Sequence, residues 1–229
     1  MRTKITFISV IAMLLVLSPC RSNAQYRSFI LGIKAAPTIS WLKPIDKHYD
    51  SEGIKVGFNW GITSEFYFAK NYAFATGLNF IYHNGSLSYP DMRQSTQVLL
   101  TRDYRLRYLE IPAVLKMKTN EMGPFRYYGQ IGLGLGVRMT SKARDEYKVG
   151  NQTFLDDFEN IDSQTRLFKA SLIIGAGIEY PFDNNTSAVF GINFNNGFTN
   201  ALKGDNAVIA NTKNEARPNF IEFSLGLMF

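Results

Sequence analysis

The chain has 229 residues, a length that suits one large domain or two small ones. Its 25 basic and 19 acidic residues give a net charge of +6, but no basic block or interleaved aromatic stripe accompanies it, so nucleic acid is excluded as a partner. Apolar content is an ordinary 45%, whereas aromatics reach 14% and the 18 glycines fall mostly inside apolar runs, which fits strands that pack tightly on one side and expose rings on the other.

Residues 1–24 read as a secretory signal peptide. Arg2 and Lys4 form a positive start, and Ile5 to Leu17 is an apolar core of 13 residues. Pro19 and the small-residue site Ser22-Asn23-Ala24 follow, which predicts cleavage after Ala24 and a mature domain of 25–229. The core is too short for a membrane-spanning helix, which needs about 20 residues. A lipoprotein is the rival reading, because Leu17-Ser18-Pro19-Cys20 resembles a lipidation box, although Pro19 fits that box poorly. Cys20 is the only cysteine, so cleavage leaves no thiol and no disulfide. Loss of Arg2, Lys4 and Arg21 leaves 22 basic against 19 acidic residues, a net charge of +3.

Period-2 alternation organises the rest of the chain. Val56, Phe58, Trp60, Ile62, Phe66 and Phe68 share one parity, broken only by Ser64. After a tight turn at Lys70, Tyr72, Phe74, Leu78, Phe80 and Tyr82 repeat the pattern. From Tyr127 to Met139 the sorting is cleanest: Tyr127, Ile131, Leu133, Leu135, Val137 and Met139 face one way, with Gly129 as the gap, and Arg126, Tyr128, Gln130, Gly132, Gly134, Gly136 and Arg138 the other. Only a strand separates residues in this way. Eight such segments are predicted: 28–40, 54–68, 72–83, 104–117, 125–139, 167–180, 186–196 and 217–229. Connections near Lys70, Asn120 and Asp183 are short, while 84–103, 140–166 and 197–216 are long and polar. The expected fold is therefore all-β, an eight-stranded antiparallel up-and-down transmembrane β-barrel with short periplasmic turns and long outer loops. Tyr26, Tyr72, Tyr127, Tyr180 and Phe229 would form the periplasmic aromatic girdle. A soluble ligand-binding barrel is the alternative, but it would put its apolar face inside and its charges outside.

The inner parity collects charge. Lys34, Glu65, Glu110, Lys116, Arg126, Arg138, Glu179 and Glu222 are predicted to line the interior as four acids against four bases, with Lys34–Glu222 and Arg126–Glu179 as pairs. A salt-bridged plug is favoured over an ion path, since an eight-stranded interior is just wide enough for side chains. His48, His83, Ser86, Asp50 and Asp91 are the only rim candidates for catalysis, and no enzyme activity is expected from them. The acids Asp145, Glu146, Asp156, Asp157, Glu159 and Asp162 match no calcium-loop spacing, so neither a metal nor a cofactor is expected. Arg105 and Arg107 share the lipid-facing parity above the apolar span, where they face either water or anionic head groups of the outer leaflet.

The mature start at Gln25, Tyr108-Leu109-Glu110-Ile111-Pro112, the glycine-spaced fifth strand, Gly175-Ala176-Gly177-Ile178-Glu179-Tyr180 and the closing aromatic together resemble the small outer-membrane β-barrel domain family of Bacteroidota, often labelled PorT-like. The resemblance implies outer-membrane localisation, with lipid, lipopolysaccharide and the barrel-assembly machinery as partners. That machinery would read Phe223, Leu225, Leu227 and Phe229 as an assembly signal. It further implies a structural or interaction role, with an accessory of type IX secretion as the alternative. A narrow passive channel and a rim enzyme rank lower.

Overall fold

The computed structural model describes residues 28–93, 95–183, 185–210 and 212–229. The expected signal peptide, Cys20 and Tyr26 lie outside them. Eight long strands build one sheet: β1 (Phe29–Pro44), β2 (Lys55–Ala69), β3 (Tyr72–Arg93), β4 (Thr96–Lys118), β5 (Arg126–Val149), β6 (Phe168–Pro181), β7 (Ser187–Gly197) and β8 (Ala216–Met228). Each pairs antiparallel with its chain neighbours, and β8 returns to β1, so the sheet is an eight-stranded closed ring. No helix among the described residues is long and apolar enough to cross a membrane; the strands themselves carry the apolar surface.

Closure is made at the β1–β8 seam, where Ile33 stands opposite Leu227 and Lys34 opposite Gly226. Pairing continues past the end of β8. The Phe229 N–H donates to the Leu31 carbonyl at 2.7 Å, and the Leu31 N–H donates back to Phe229 at 3.1 Å. The last residue of the chain is thus held on a two-way hydrogen-bonded rung.

The outer wall near the short turns is a continuous apolar belt. Phe58, Trp60, Ile62, Ile111, Leu133, Ile192 and Leu225 are all exposed on it. Aromatic rings crowd the turn end: Phe29 lies 5.1 Å from Phe66, and Tyr180 lies 5.6 Å from Phe125 and 5.4 Å from Phe182. On the inside, glycines make room for large side chains. A Cβ at Gly191 would stand 2.1 Å from the Tyr128 hydroxyl oxygen, so that ring fits only because the opposing position is bare.

Two of the connections expected to be long polar loops are strand instead. Segment 84–103 is the far half of the β3–β4 hairpin, in register from Asn84↔Arg105 to Arg93↔Thr96. Much of 140–166 continues β5 to Val149, and Gln152–Leu155 folds back against it. The reason lies in where their apolar residues point. Leu87, Tyr89, Val98, Leu100, Tyr104, Leu106, Ala143 and Tyr147 all turn inward and are buried in one core. On β4 the apolar parity changes between Tyr108, which faces inward, and Leu109, which faces outward, with no bulge in that strand. On β5 the apolar residues keep their parity, and a bulge beside Arg138 turns it from outward at Val137 to inward at Ala143 and Tyr147. Strands β3 to β5, at 22 to 24 residues, therefore stand well above β6 to β8, at 11 to 14.

Loops close over this overhang. Ala201 and Leu202 from segment 198–215 and Ile161 from segment 156–167 join the same core. Arg138 donates to the Asp162 and Thr165 carbonyls at 2.6 and 2.7 Å, and Asp162 accepts from the Ser141 N–H at 2.8 Å and from its hydroxyl at 2.7 Å. Those Ser141 hydrogen bonds hold the Asp162 carboxyl below its usual range. Arg102 grips Asp145 with Nη2 at 2.6 Å, and Arg93 reaches the same carboxylate. Asn206 ties segment 198–215 to the Tyr49 hydroxyl at 2.8 Å and the Pro90 carbonyl at 3.0 Å. Burial pushes the Tyr49 phenol up to about 12.

Deleting Phe229 removes both seam hydrogen bonds to Leu31 and one ring of the turn-end girdle. The folded, heat-modifiable form in membrane fractions should fall several-fold relative to wild type, as read by gel mobility. Equal amounts of folded protein would show that the terminal rung is dispensable.

Candidate functional site

The lower half of the interior is the most densely charged buried region of the chain, and its register explains why it can exist. Glu65 on β2 faces Lys116 and Lys118 on β4, with ammonium–carboxylate distances of 2.5 and 2.9 Å, and the Tyr67 hydroxyl donates to it at 2.6 Å. Lys118 also stands 2.5 Å from Glu179, off the hydrogen-bonding direction, so that contact is ionic. Glu110 on β4 meets Lys169 on β6 at 2.5 Å. Lys34 meets Glu222 at 2.9 Å. That pair runs obliquely, because Glu222 stands opposite Thr38 rather than Lys34. Glycines on both sides of Lys34, Gly61 and Gly226, leave its side chain free to lean. Asn59 and Asn193 complete the Glu222 shell with donors at 2.8 and 3.1 Å.

Four glutamates and four lysines thus cancel inside the belt. Aromatic faces add cation–π contacts to two of the lysines: Lys116 lies 4.1 Å from the Tyr128 ring centre, and Lys169 lies 5.2 Å from that of Phe220. A cavity of about 90 Å³ remains between these groups, lined among others by Lys34, Glu110, Gln130 and Asn193. Apolar side chains such as Val114 and Ile173 line it beside these polar groups, and it is large enough for several waters held by the polar ones. Toward the loop end it meets the apolar core, where Leu42, Leu100, Leu106 and Tyr108 are at most 1% exposed.

The sequence placed Lys34, Glu65, Glu110, Lys116, Glu179 and Glu222 on the inner face, and all six stand there. Arg126 sits at the turn-end rim, where it reaches Glu121 and lies 3.7 Å from Glu179. Arg138 belongs to the loop closure above, not to the lower charge network, because the β5 bulge lifts it to the Asp162 turn. Lys118 and Lys169, which supply the missing positive charge, were not singled out. Both carried a signal: Lys118 shares the parity of Lys116, and Lys169 shares that of Glu179.

The rim residues do not converge. His83 is buried inside the barrel with its ring 6.1 Å from Phe220. His48 lies in the first loop, 2.7 Å from Asp46. Asp91 pairs with Arg93 at 3.3 Å, while Asp50 is exposed on a short strand beside Ser88. The acids of 145–162 are dispersed too, with Asp145 under Arg102 and Asp162 on Ser141. Among the described residues no group of His, Cys, Asp and Glu is arranged to hold a metal ion.

Among solved structures, the chain is similar to Neisserial surface protein A, at 16% identity over 88% of this chain and 96% of that one, with a TM-score of 0.47. It is also similar to Ail, the attachment invasion locus protein of Yersinia pestis, at 14% identity over 89% and 100%, with a TM-score of 0.40. The outer membrane protease OmpT of Escherichia coli aligns at 10% identity over 91% and 99%, also at 0.40. A search of curated proteins finds no match. Residues 22–204 match the outer membrane protein beta-barrel domain, and the closed eight-stranded ring with its apolar outer wall is the architecture that such a domain requires: the chain belongs to the outer membrane protein beta-barrel family.

Proposed function

We propose that this outer-membrane barrel is neither a pore nor an enzyme, and that it acts as a structural or interaction protein through its raised outer end and periplasmic rim. One observation carries the reading: the interior is filled at two levels by different means. In the lower half, charges pair with each other; in the upper half, an apolar core and two tied-down loops close the lumen. Ions would have to cross packed Leu42, Leu100, Leu106 and Tyr108, each almost fully buried. What remains free for contact is the β3–β5 overhang, a rigid surface of paired strands rather than mobile loops.

An accessory role in type IX secretion is the other reading, and it comes from the PorT-like resemblance alone. Cargo secretion in a deletion strain separates the two: normal secretion retires the accessory role, and loss of secretion establishes it over a purely structural one.

Purified, refolded protein in planar bilayers should show no conductance steps even at high protein load. Regular steps would contradict a closed lumen. The lower plug should be a stability element. Glu65→Gln leaves Lys116 and Lys118 buried without their shared carboxylate, a change that typically costs roughly 3–5 kcal/mol. Urea unfolding in lipid vesicles, followed by the heat-modifiable gel shift, should show a midpoint well below wild type. An unchanged midpoint would mean that the lysines are hydrated rather than paired.

A further inference from the structure

The outer wall carries cations that no carboxylate answers. On β4 and β5, just above the apolar belt, Arg105 stands directly opposite Lys142 on the lipid-facing side. Arg107 lies one outward position lower on the same strand, immediately above Leu109. Like charges directly across an antiparallel pair destabilise a sheet. Among the described residues none of the three forms an ion pair, although acids are close at hand. One pleat higher, Asp103 takes both Arg144 at 2.9 Å and Lys55 at 3.0 Å. The chain therefore neutralises neighbouring cations on this wall and leaves these three open. A second unanswered pair, Lys43 opposite Arg217, faces outward on the β1–β8 side.

The arrangement is also built rather than incidental. Glu159 and Asn160 pair with the edge of β5 at Ala143 and Lys142, which brings the preceding Phe158 to the arginines of the wall. The Arg105 guanidinium lies 3.7 Å from the Phe158 ring centre, and Arg144 lies 4.9 Å from it. Arg107 lies 5.2 Å from the Tyr82 ring centre. Stacking of this kind fixes the plane of a guanidinium while leaving its N–H edge free, which suits a tetrahedral oxyanion.

We propose that Arg105, Lys142 and Arg107 form a phosphate-binding site on the membrane-facing wall, and that its occupant is a phosphate monoester of an outer-leaflet glycolipid. The height selects a lipid over a free anion. The cations face sideways rather than toward bulk water. Directly below them, Leu109, Ile111, Val137 and Met139 offer an apolar wall along which acyl chains would lie. Headgroup charge and chains would thus be met at the same azimuth of the barrel. The proposal needs only the membrane level of this wall, so it stands apart from the closed-lumen reading.

The test uses the full-length barrel in uncharged detergent, with the temperature at which the heat-modifiable gel shift is lost as readout. Lipopolysaccharide, enzymatically dephosphorylated lipopolysaccharide and inorganic phosphate are added separately. Lipopolysaccharide should raise the wild-type midpoint, and the other two should do so weakly or not at all. Arg105→Gln/Lys142→Gln should lose most of the rise, with apparent affinity for lipopolysaccharide at least about tenfold weaker. In detergent alone the same variant should be no less stable than wild type, because the cross-strand repulsion is gone. Phe158→Leu keeps every charge but removes the ring under Arg105, and it should weaken the response several-fold; this variant decides the matter if the double substitution does not fold. An equal response to dephosphorylated lipid, or wild-type responses in both variants, would overturn the site. A full response to inorganic phosphate would overturn the lipid as its occupant.

Discussion

Everything in this molecule follows from the rung that joins Phe229 to Leu31. In hydrocarbon, each unpaired backbone N–H or C=O costs several kcal/mol, so a sheet survives there only without edges. The β1–β8 seam removes the last two edges. Closing at eight strands then fixes an interior barely wider than two opposing side chains. Tyr128 needs bare backbone at Gly191, and Gly134 would meet the Glu110 carboxyl if it carried a Cβ. The lumen is narrow because of the strand number, and its contents are set by that narrowness.

A narrow lumen lined by charged residues is tolerable only when the charges answer one another. Removing one partner from a buried pair leaves an uncompensated ion, whereas the intact set is self-contained. Glu65 with Lys116 and Lys118, and Glu110 with Lys169, each reach over one intervening strand, and Glu222 with Lys34 spans the seam. They brace the ring from within while the apolar residues are committed to the outside. Above the belt the surroundings of the wall are aqueous and the assignment reverses. Leu100, Tyr104 and Leu106 face inward while Asp103, Arg105, Arg107, Lys142 and Arg144 face outward, and the charges that do point inward, Arg102 and Asp145, pair with each other. Strand β4 spans both regimes, and the change between Tyr108 and Leu109 marks the level at which the solvent changes.

That change also explains which parts of the fold were legible in the sequence. Period 2 with one apolar parity identified the segments inside the belt, and the inner parity placed Lys34 and Glu222 on the same side of neighbouring strands at the seam. The same scan stopped at Tyr82 because beyond it Leu87 and Tyr89 occupy the opposite parity, and at Met139 because Thr140, Ser141 and Lys142 interrupt the apolar series before Ala143 and Tyr147 resume it on the same parity, turned inward by the bulge. Two opposite phases in one continuous strand are the signature of a barrel that rises out of its membrane. Lys169 went unnoticed for a simpler reason: it lies near the start of its strand, separated from Glu179, the other charge on that inner face, by Ser171, Ile173, Gly175 and Gly177. The Lys34–Glu222 pair was legible from the distance of both residues to the turn end, but its oblique run, the β5 bulge and the Asp162 turn were not, since they depend on side-chain reach and register rather than on spacing.

The charge balance of the lumen has a consequence for the outside. Residues 25–229 carry 22 basic and 19 acidic groups, and the four lysines and four glutamates of the plug cancel, so the surplus positive charge belongs to the outer surfaces. On the wall it concentrates at the level where the apolar parity reverses: Arg105, Arg107 and Lys142 on one side, Lys43 and Arg217 on the other. Lower down, a cation would face hydrocarbon; higher up, it would face water, where attraction to a headgroup is screened within roughly 8 Å at physiological salt. Only at the boundary can a fixed cation meet a lipid phosphate at contact distance. The level at which β4 exchanges its two faces is therefore also the level at which unpaired positive charge is best placed to bind.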